Sequence, residues 1–154
     1  MTEPSENARA AALALSRTAR MLERALAHGT APALSLSDYR VLTAVAGGEG
    51  RASRLARRLA VGKPSVSASV DSLVRRGLLA RSAGAGDQRA IDLTVTAGGH
   101  ALLVDADRAV TALVTDIASR TPDPSGTLAA LAAFGTALEQ RQTEIAAHHA
   151  ERRA

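Results

Sequence analysis

Residues Lys63–Gly77 read KPSVSASVDSLVRRG, and the way this stretch folds decides the architecture of the chain. Its four serines and three valines disfavour a helix by intrinsic propensity. Yet Val66, Val70, Leu73 and Val74 recur at i, i+4, i+7 and i+8, which is the spacing of one helical face. Pro64 suits a first helical turn, where its missing N–H has no intrahelical partner anyway, and Gly77 suits the end. With Val66 as reference and about 100° per residue, Pro64, Ser65, Ala68, Asp71, Ser72 and Arg75 fall roughly opposite. The stretch therefore reads as a helix with a branched apolar face inward and short side chains outward. Its two arginines are held back to the end.

Upstream, a short helix is expected over about 52–59, with Leu55 and Leu59 inward and Arg54, Arg57 and Arg58 outward, and VGK forms the turn between the two. Before it, DYRVLTAVA predicts a helix over about 37–46, with Ser37 as N-cap and GGEG as its stop. Leu15, Ala19, Leu22 and Leu26 predict a first helix from about 5 to 28, broken by HGTAP. Downstream the period changes. LLARSAGAGDQRAIDLTVT reads as two strands, about 78–82 and 90–95, joined by a Gly-rich loop. Thr96 can cap a helix over about 97–119 carrying Leu103, Ala106, Val110, Leu113 and Ile117, and TPDPSG separates it from a last helix over about 125–149. The fold class expected is mainly α with a small β-hairpin. Residues 1–154 form one domain, with arm helices in 1–34 and 97–150 around a central lobe at 35–96.

Charge singles out that lobe. The chain has a formal net charge of +4, but residues 51–89 hold nine basic and two acidic side chains, leaving 10 basic and 13 acidic elsewhere. A basic middle between mildly acidic ends suits a polyanion partner for the middle alone, although a solvated arginine-rich surface would have the same composition. The chain has no cysteine, which excludes disulfides, thiolate metal sites and cysteine nucleophiles. With one Tyr, one Phe and no Trp, the core must be aliphatic. There is no run of about 18 apolar residues to span a membrane and no signal-peptide pattern in MTEPSENARA, so a cytoplasmic location is expected.

Helix, tight turn, helix and hairpin, in that order, make a winged helix-turn-helix, whose second helix lies in the major groove of DNA. Short side chains let the backbone approach the bases, and serine hydroxyls donate or accept there. Longer arginines reach phosphates, which position the protein without specifying sequence. In AGAGDQRA, Arg89 stands at a hairpin tip that could enter a narrow minor groove, with Asp87 close enough to hold its guanidinium. A plain surface ion pair is the alternative there. The DNA-contacting set expected is Arg54, Lys63, Pro64, Ser65, Ser67, Ala68, Ser69, Ser72, Arg75, Arg76, Arg81, Asp87, Gln88 and Arg89.

At these residues the sequence resembles the MarR family of bacterial transcription regulators. LSLSDYRVLTAVA, RLARRLAVGKPSVSASVDSLVRRGLLAR and GDQRAIDLTVTAGG carry the likeness, and with the flanking helices it extends over nearly the whole chain. The resemblance implies a homodimer whose first and last two helices intertwine with the partner's. It implies an Asp-x-Arg unit in each wing, here Asp87 and Arg89, and repression of nearby genes, with release by a small anionic or phenolic ligand. The chain departs from the family in four places. Ala68 and Ser72 stand where arginine is frequent, Gln88 replaces a wing arginine, and Arg51 takes the place of a capping Ser or Thr.

Such an effector would meet Tyr39, Arg17, Arg20 and Arg24, although a core role for Tyr39 and solvated arginines account for the same residues. The four histidines, His28, His100, His148 and His149, are scattered without carboxylates at ligand spacing, so no metal or cofactor is expected. No nucleophile–base–orienter set appears, and the chain does not read as an enzyme. The alternative is a winged-helix module that binds DNA without an effector or docks a protein partner.

Overall fold

The computed structural model describes residues 5–59, 61–83 and 91–151. Eight elements follow in the order α1 (Glu6–Gly29), α2 (Leu36–Ala46), α3 (Ala52–Arg58), α4 (Lys63–Arg75), β1 (Leu79–Ala83), β2 (Ile91–Val95), α5 (Ala97–Ala118) and α6 (Pro124–Glu151). The architecture is the expected one, mostly helical with a single antiparallel hairpin among the described residues. In that hairpin Leu79 pairs with Val95, Arg81 with Leu93 and Ala83 with Ile91. Arg51 forms an isolated bridge with Asp92, and the Leu93 N–H donates to the Gly50 carbonyl at 2.8 Å, so the chain just ahead of α3 lies along the free edge of β2.

Local chemistry explains most boundaries. Ser5 caps α1 and Thr96 caps α5, each accepting from the backbone N–H three residues on. The cap of α2 is Ser35, which accepts from Asp38 N–H at 3.0 Å; Ser37, the residue expected from the sequence, sits inside the first turn. Arg51 precedes α3 without a side-chain cap bond, as its side chain predicts, since a guanidinium cannot accept. The end of α4 closes as a Schellman motif. Gly77 takes φ +70°, its N–H donates to Val74 and that of Leu78 donates to Leu73.

The core lies in the lobe and is aliphatic throughout. Leu34, Val41, Leu42, Leu55, Val66, Val70, Leu73, Leu78, Leu79 and Leu93 meet there, with Leu26 from α1 and Leu102, Leu103 and Ala106 from α5. Fully burying one leucine is worth about 1.5–3 kcal/mol, so these side chains supply the main cohesion of the lobe. Burial then fades along the arms. Residues 128–141 of α6 are exposed without a break.

The start of α5 is locked under the start of the wing. The Thr96 hydroxyl donates to the Gly77 carbonyl at 2.7 Å and accepts from Gly99 N–H at 3.0 Å. Gly99 is buried, and a Cβ there would collide with the Leu78 carbonyl and come within 2.7 Å of Val95 Cγ1. Because the obstacle is backbone, Gly99→Ala is expected to cost about 2–3 kcal/mol. A shift in the urea midpoint at unchanged slope would measure it.

Candidate nucleic-acid interface

α4 is held in the lobe by one face. Val66, Val70 and Leu73 are at most 3% exposed. Pro64, Ser65, Ser67, Ala68, Asp71 and Arg75 are exposed, and Ser72 is half-buried. At 1.5 Å rise per residue, Lys63 and Arg75 mark out about 18 Å of helix between two cationic ends. No side chain longer than aspartate stands outward between them on that face. The result is a slender, nearly smooth surface with a positive charge at each end.

Two of the residues expected on this surface lie elsewhere. Ser69 is 8% exposed and its hydroxyl donates to Ser37 on α2 at 3.2 Å. It stands about 60° from Val66 on the helical wheel, on the packed side. Arg76 is turned back across the lobe. Its guanidinium donates to Asp38 Oδ2 at 3.3 Å and to the Ala33 and Pro32 carbonyls at 2.7 and 3.4 Å. With three acceptors already engaged, it is not free to reach a phosphate.

The other candidates are distributed around α4. Arg81 on β1 pairs with Asp71 of α4, a strut between wing and helix. The sequence wheel placed Asp71 outward, but its carboxylate has the wrong sign for phosphate, and nothing in the spacing signals a partner ten residues on. Arg54 projects from α3 and pairs with Glu49 at 3.0 Å, with half of its side chain exposed. Asp87, Gln88 and Arg89 lie outside the described residues.

The expected effector residues do not converge in one visible way. Arg17, Arg20 and Arg24 are exposed along α1. Tyr39 is half-buried against the core, and its hydroxyl donates to Asp107 on α5 at 2.8 Å. Burial, together with the Asp107 carboxylate, pushes its pKa up to about 12. Because the folded value lies above the unfolded value near 10, the stability due to neutral Tyr39 is present below about pH 10 and lost as pH rises toward 12. Tyr39 is the only tyrosine, so an ultraviolet phenolate titration reads it directly. The midpoint is expected near 12 in the native protein and near 10 in denaturant, and Tyr39→Phe removes this component of alkaline destabilisation.

Residues 34–90 match the MarR family. The fold of the lobe together with its flanking arms is shared with solved structures. The transcriptional regulator BldR from Sulfolobus solfataricus superposes with a TM-score of 0.71 at 22% identity, over 88% of this chain and 99% of that one. Wild-type apo MarR from E. coli gives 0.70 at 21% identity, over 85% and 96%. The transcriptional repressor CouR, bound to a 23-mer DNA duplex, gives 0.69 at 24% identity, over 90% and 99%. At these identities the likeness is one of fold, and it extends through the arms to nearly the full length of the relatives. No curated protein sequence matches the chain significantly. Among the described residues no helix is long and apolar enough to cross a membrane.

Proposed function

We propose that this protein is a MarR-type transcriptional regulator, a repressor that binds an inverted-repeat operator in double-stranded DNA as a homodimer. The observation that carries the proposal is the outward face of α4. Among the described residues it is the one long exposed helical face of the lobe that combines short side chains with a cation at each end, as insertion into a major groove requires. The family match of the lobe and a DNA-bound structural relative support the same reading. Ser65, Ser67, Ala68 and Ser72 meet base edges, Lys63, Arg54 and Arg75 hold phosphate, and Asp87, Gln88 and Arg89 add further DNA contacts. Arg81 reaches the duplex from the wing side of Asp71.

The dimer follows from unpartnered apolar surface. Leu13, Leu15 and Met21 on α1 and Leu128, Leu131, Phe134, Leu138 and Ile145 on α6 are between 37% and 53% exposed. That much large apolar surface on two arm helices marks an interface, and a two-fold axis would place two copies of α4 on successive turns of the duplex.

The effector component rests on Arg17, Arg20, Arg24 and Tyr39. Asp107, which accepts the Tyr39 hydroxyl, repels an anion at that point, so a neutral phenol fits there better than a carboxylate. A panel of phenols and aromatic acids that leaves both melting temperature and DNA affinity unchanged would remove this component.

The function is tested by selecting genomic fragments of the host with the purified protein. An enriched inverted repeat with half-sites about 10 base pairs apart is expected. Absence of enrichment at low salt would sink the reading and favour a protein-docking module. Arg75→Ala is expected to weaken binding to all sequences alike and to flatten the salt dependence by about one unit.

A further inference from the structure

The α1–α2 linker, residues 30–35, is tied firmly to α1 on one side. The buried Thr30 hydroxyl donates to the Leu26 carbonyl at 2.7 Å and accepts from Leu34 N–H at 2.9 Å. Just past the linker, Leu36 N–H donates to the Glu23 carboxylate of α1 at 2.9 Å. Leu34 itself is 1% exposed. These bonds tie the linker and the start of α2 to the arm helix.

On its other side the linker meets Arg76, the C-cap of α4. One guanidinium nitrogen donates to the Ala33 and Pro32 carbonyls, and the other to Asp38 in the first turn of α2. Among the described residues, no other side chain of α4 or its cap hydrogen-bonds to this linker. The planar donor fork of arginine can serve these three acceptors at once, whereas the lysine ammonium is a compact point charge. Asp38 is 8% exposed, so pulling Arg76 away would leave a buried carboxylate unpaired. Val66, Val70 and Leu73 seat α4 on the lobe core; Arg76 instead sets where the end of α4 stands relative to the arm.

We infer that Arg76 is a positioning residue that fixes the angle between the DNA-reading helix α4 and the arm helix α1, and through it the half-site spacing that the dimer accepts. The inference rests on the DNA-binding homodimer proposed above. In a two-fold assembly, a small tilt of each lobe against its arm changes the separation of the two reading helices, and spacing is what DNA measures along its axis. Arg75, one residue earlier and exposed, has the opposite role and touches phosphate.

The experiment uses full-length protein and a set of inverted repeats whose half-site separation varies around roughly 10 base pairs. Binding is measured as a function of both spacing and salt. For Arg76→Lys, which keeps the charge and loses the fork, the salt slope is expected to match wild type. Preference for the best spacing over its neighbours should fall by about 2- to 30-fold. Asp38→Asn, which leaves Arg76 in place and removes the charge of its partner, should broaden spacing in the same direction; it supplies the readout if Arg76→Lys fails to fold by circular dichroism. Arg75→Ala should do the reverse, lowering the slope and keeping the spacing preference. If Arg76→Lys and Asp38→Asn both leave spacing preference intact, Arg76 is not a positioning residue. A salt slope about one unit lower in Arg76→Ala, with unchanged spacing, would make it a phosphate anchor instead. Wild-type protein that binds no duplex at any spacing would overturn the functional reading, and this inference with it.

Discussion

Replacing Phe134 by glutamate is expected to turn the proposed dimer into a monomer and to reduce operator affinity by about 10²- to 10⁴-fold, the loss that follows when two linked half-site contacts become independent. Phe134 is 53% exposed and lies in the unbroken exposed run at 128–141, so it adds little to the core of its own chain. A long helix with no packed face is marginal in water, since most helical stability in proteins comes from tertiary burial. Leu128, Leu131, Phe134 and Leu138 are spaced by three, three and four residues, so they share one side of α6. Symmetry doubles the effect of a substitution there, because each copy brings its own glutamate to the interface. Burying two carboxylates without partners costs several kcal/mol each, more than the affinity of an ordinary dimer can absorb. Light scattering at micromolar concentration reads the assembly, and a gel-shift titration reads the DNA. A variant that stays dimeric and binds as wild type would mean that α6 is covered by something other than a second copy.

The sequence carried the element order because its periodicities are strong and differ from one another. The branched apolar residues of α4 repeat every three or four positions although serine and valine disfavour helix, and burial of Val66, Val70 and Leu73 outweighs that propensity. The change to alternation at β2 is equally plain, with Leu93 buried and Thr94 exposed. Helix ends were readable to within one or two residues wherever a hydroxyl cap or a positive-φ glycine stood. α2 is the informative miss. Ser35 and Ser37 are both good caps, and only the fold decides that Ser35 takes the backbone while Ser37 faces Ser69.

Which residues of α4 face outward was legible in the sequence along most of the helix, and less so at its edges. Ser69 looks like Ser65 and Ser67 by type, yet the wheel that put Val66 inward also puts Ser69 near it, so its burial was available in the sequence. Arg76 is different. Arg75 and Arg76 are adjacent and chemically identical, and what separates them is a turn of about 100° that brings Arg76 over Asp38 and the linker carbonyls. Those acceptors lie 38 to 44 residues upstream, beyond any local pattern. The Tyr39–Asp107 and Arg81–Asp71 pairs share that origin, since each joins side chains whose proximity exists only after the helices have packed.

Ala68→Glu is expected to abolish operator binding, by more than about 100-fold, while leaving the melting temperature within about 1 °C of wild type. Ala68 is exposed midway along the outward face of α4 and packs against nothing in the core, so a longer side chain costs the protomer little. On DNA the same substitution places a carboxylate among base-edge acceptors and near two phosphate backbones, where like charge is costly and Coulomb forces are least screened. Ala68→Arg makes the complementary test. A guanidinium at this position can address guanine O6 and N7 bidentately, so binding should persist and the preferred operator should shift toward a G·C pair at the contacted step. Selection of bound sequences from a randomised duplex reads that shift, and a gel shift on the wild-type operator reads the loss. The pair of substitutions separates a groove-bound face from a merely solvated one. A solvated face tolerates either charge equally, and near-wild-type DNA affinity for Ala68→Glu would place the reading surface elsewhere on the molecule.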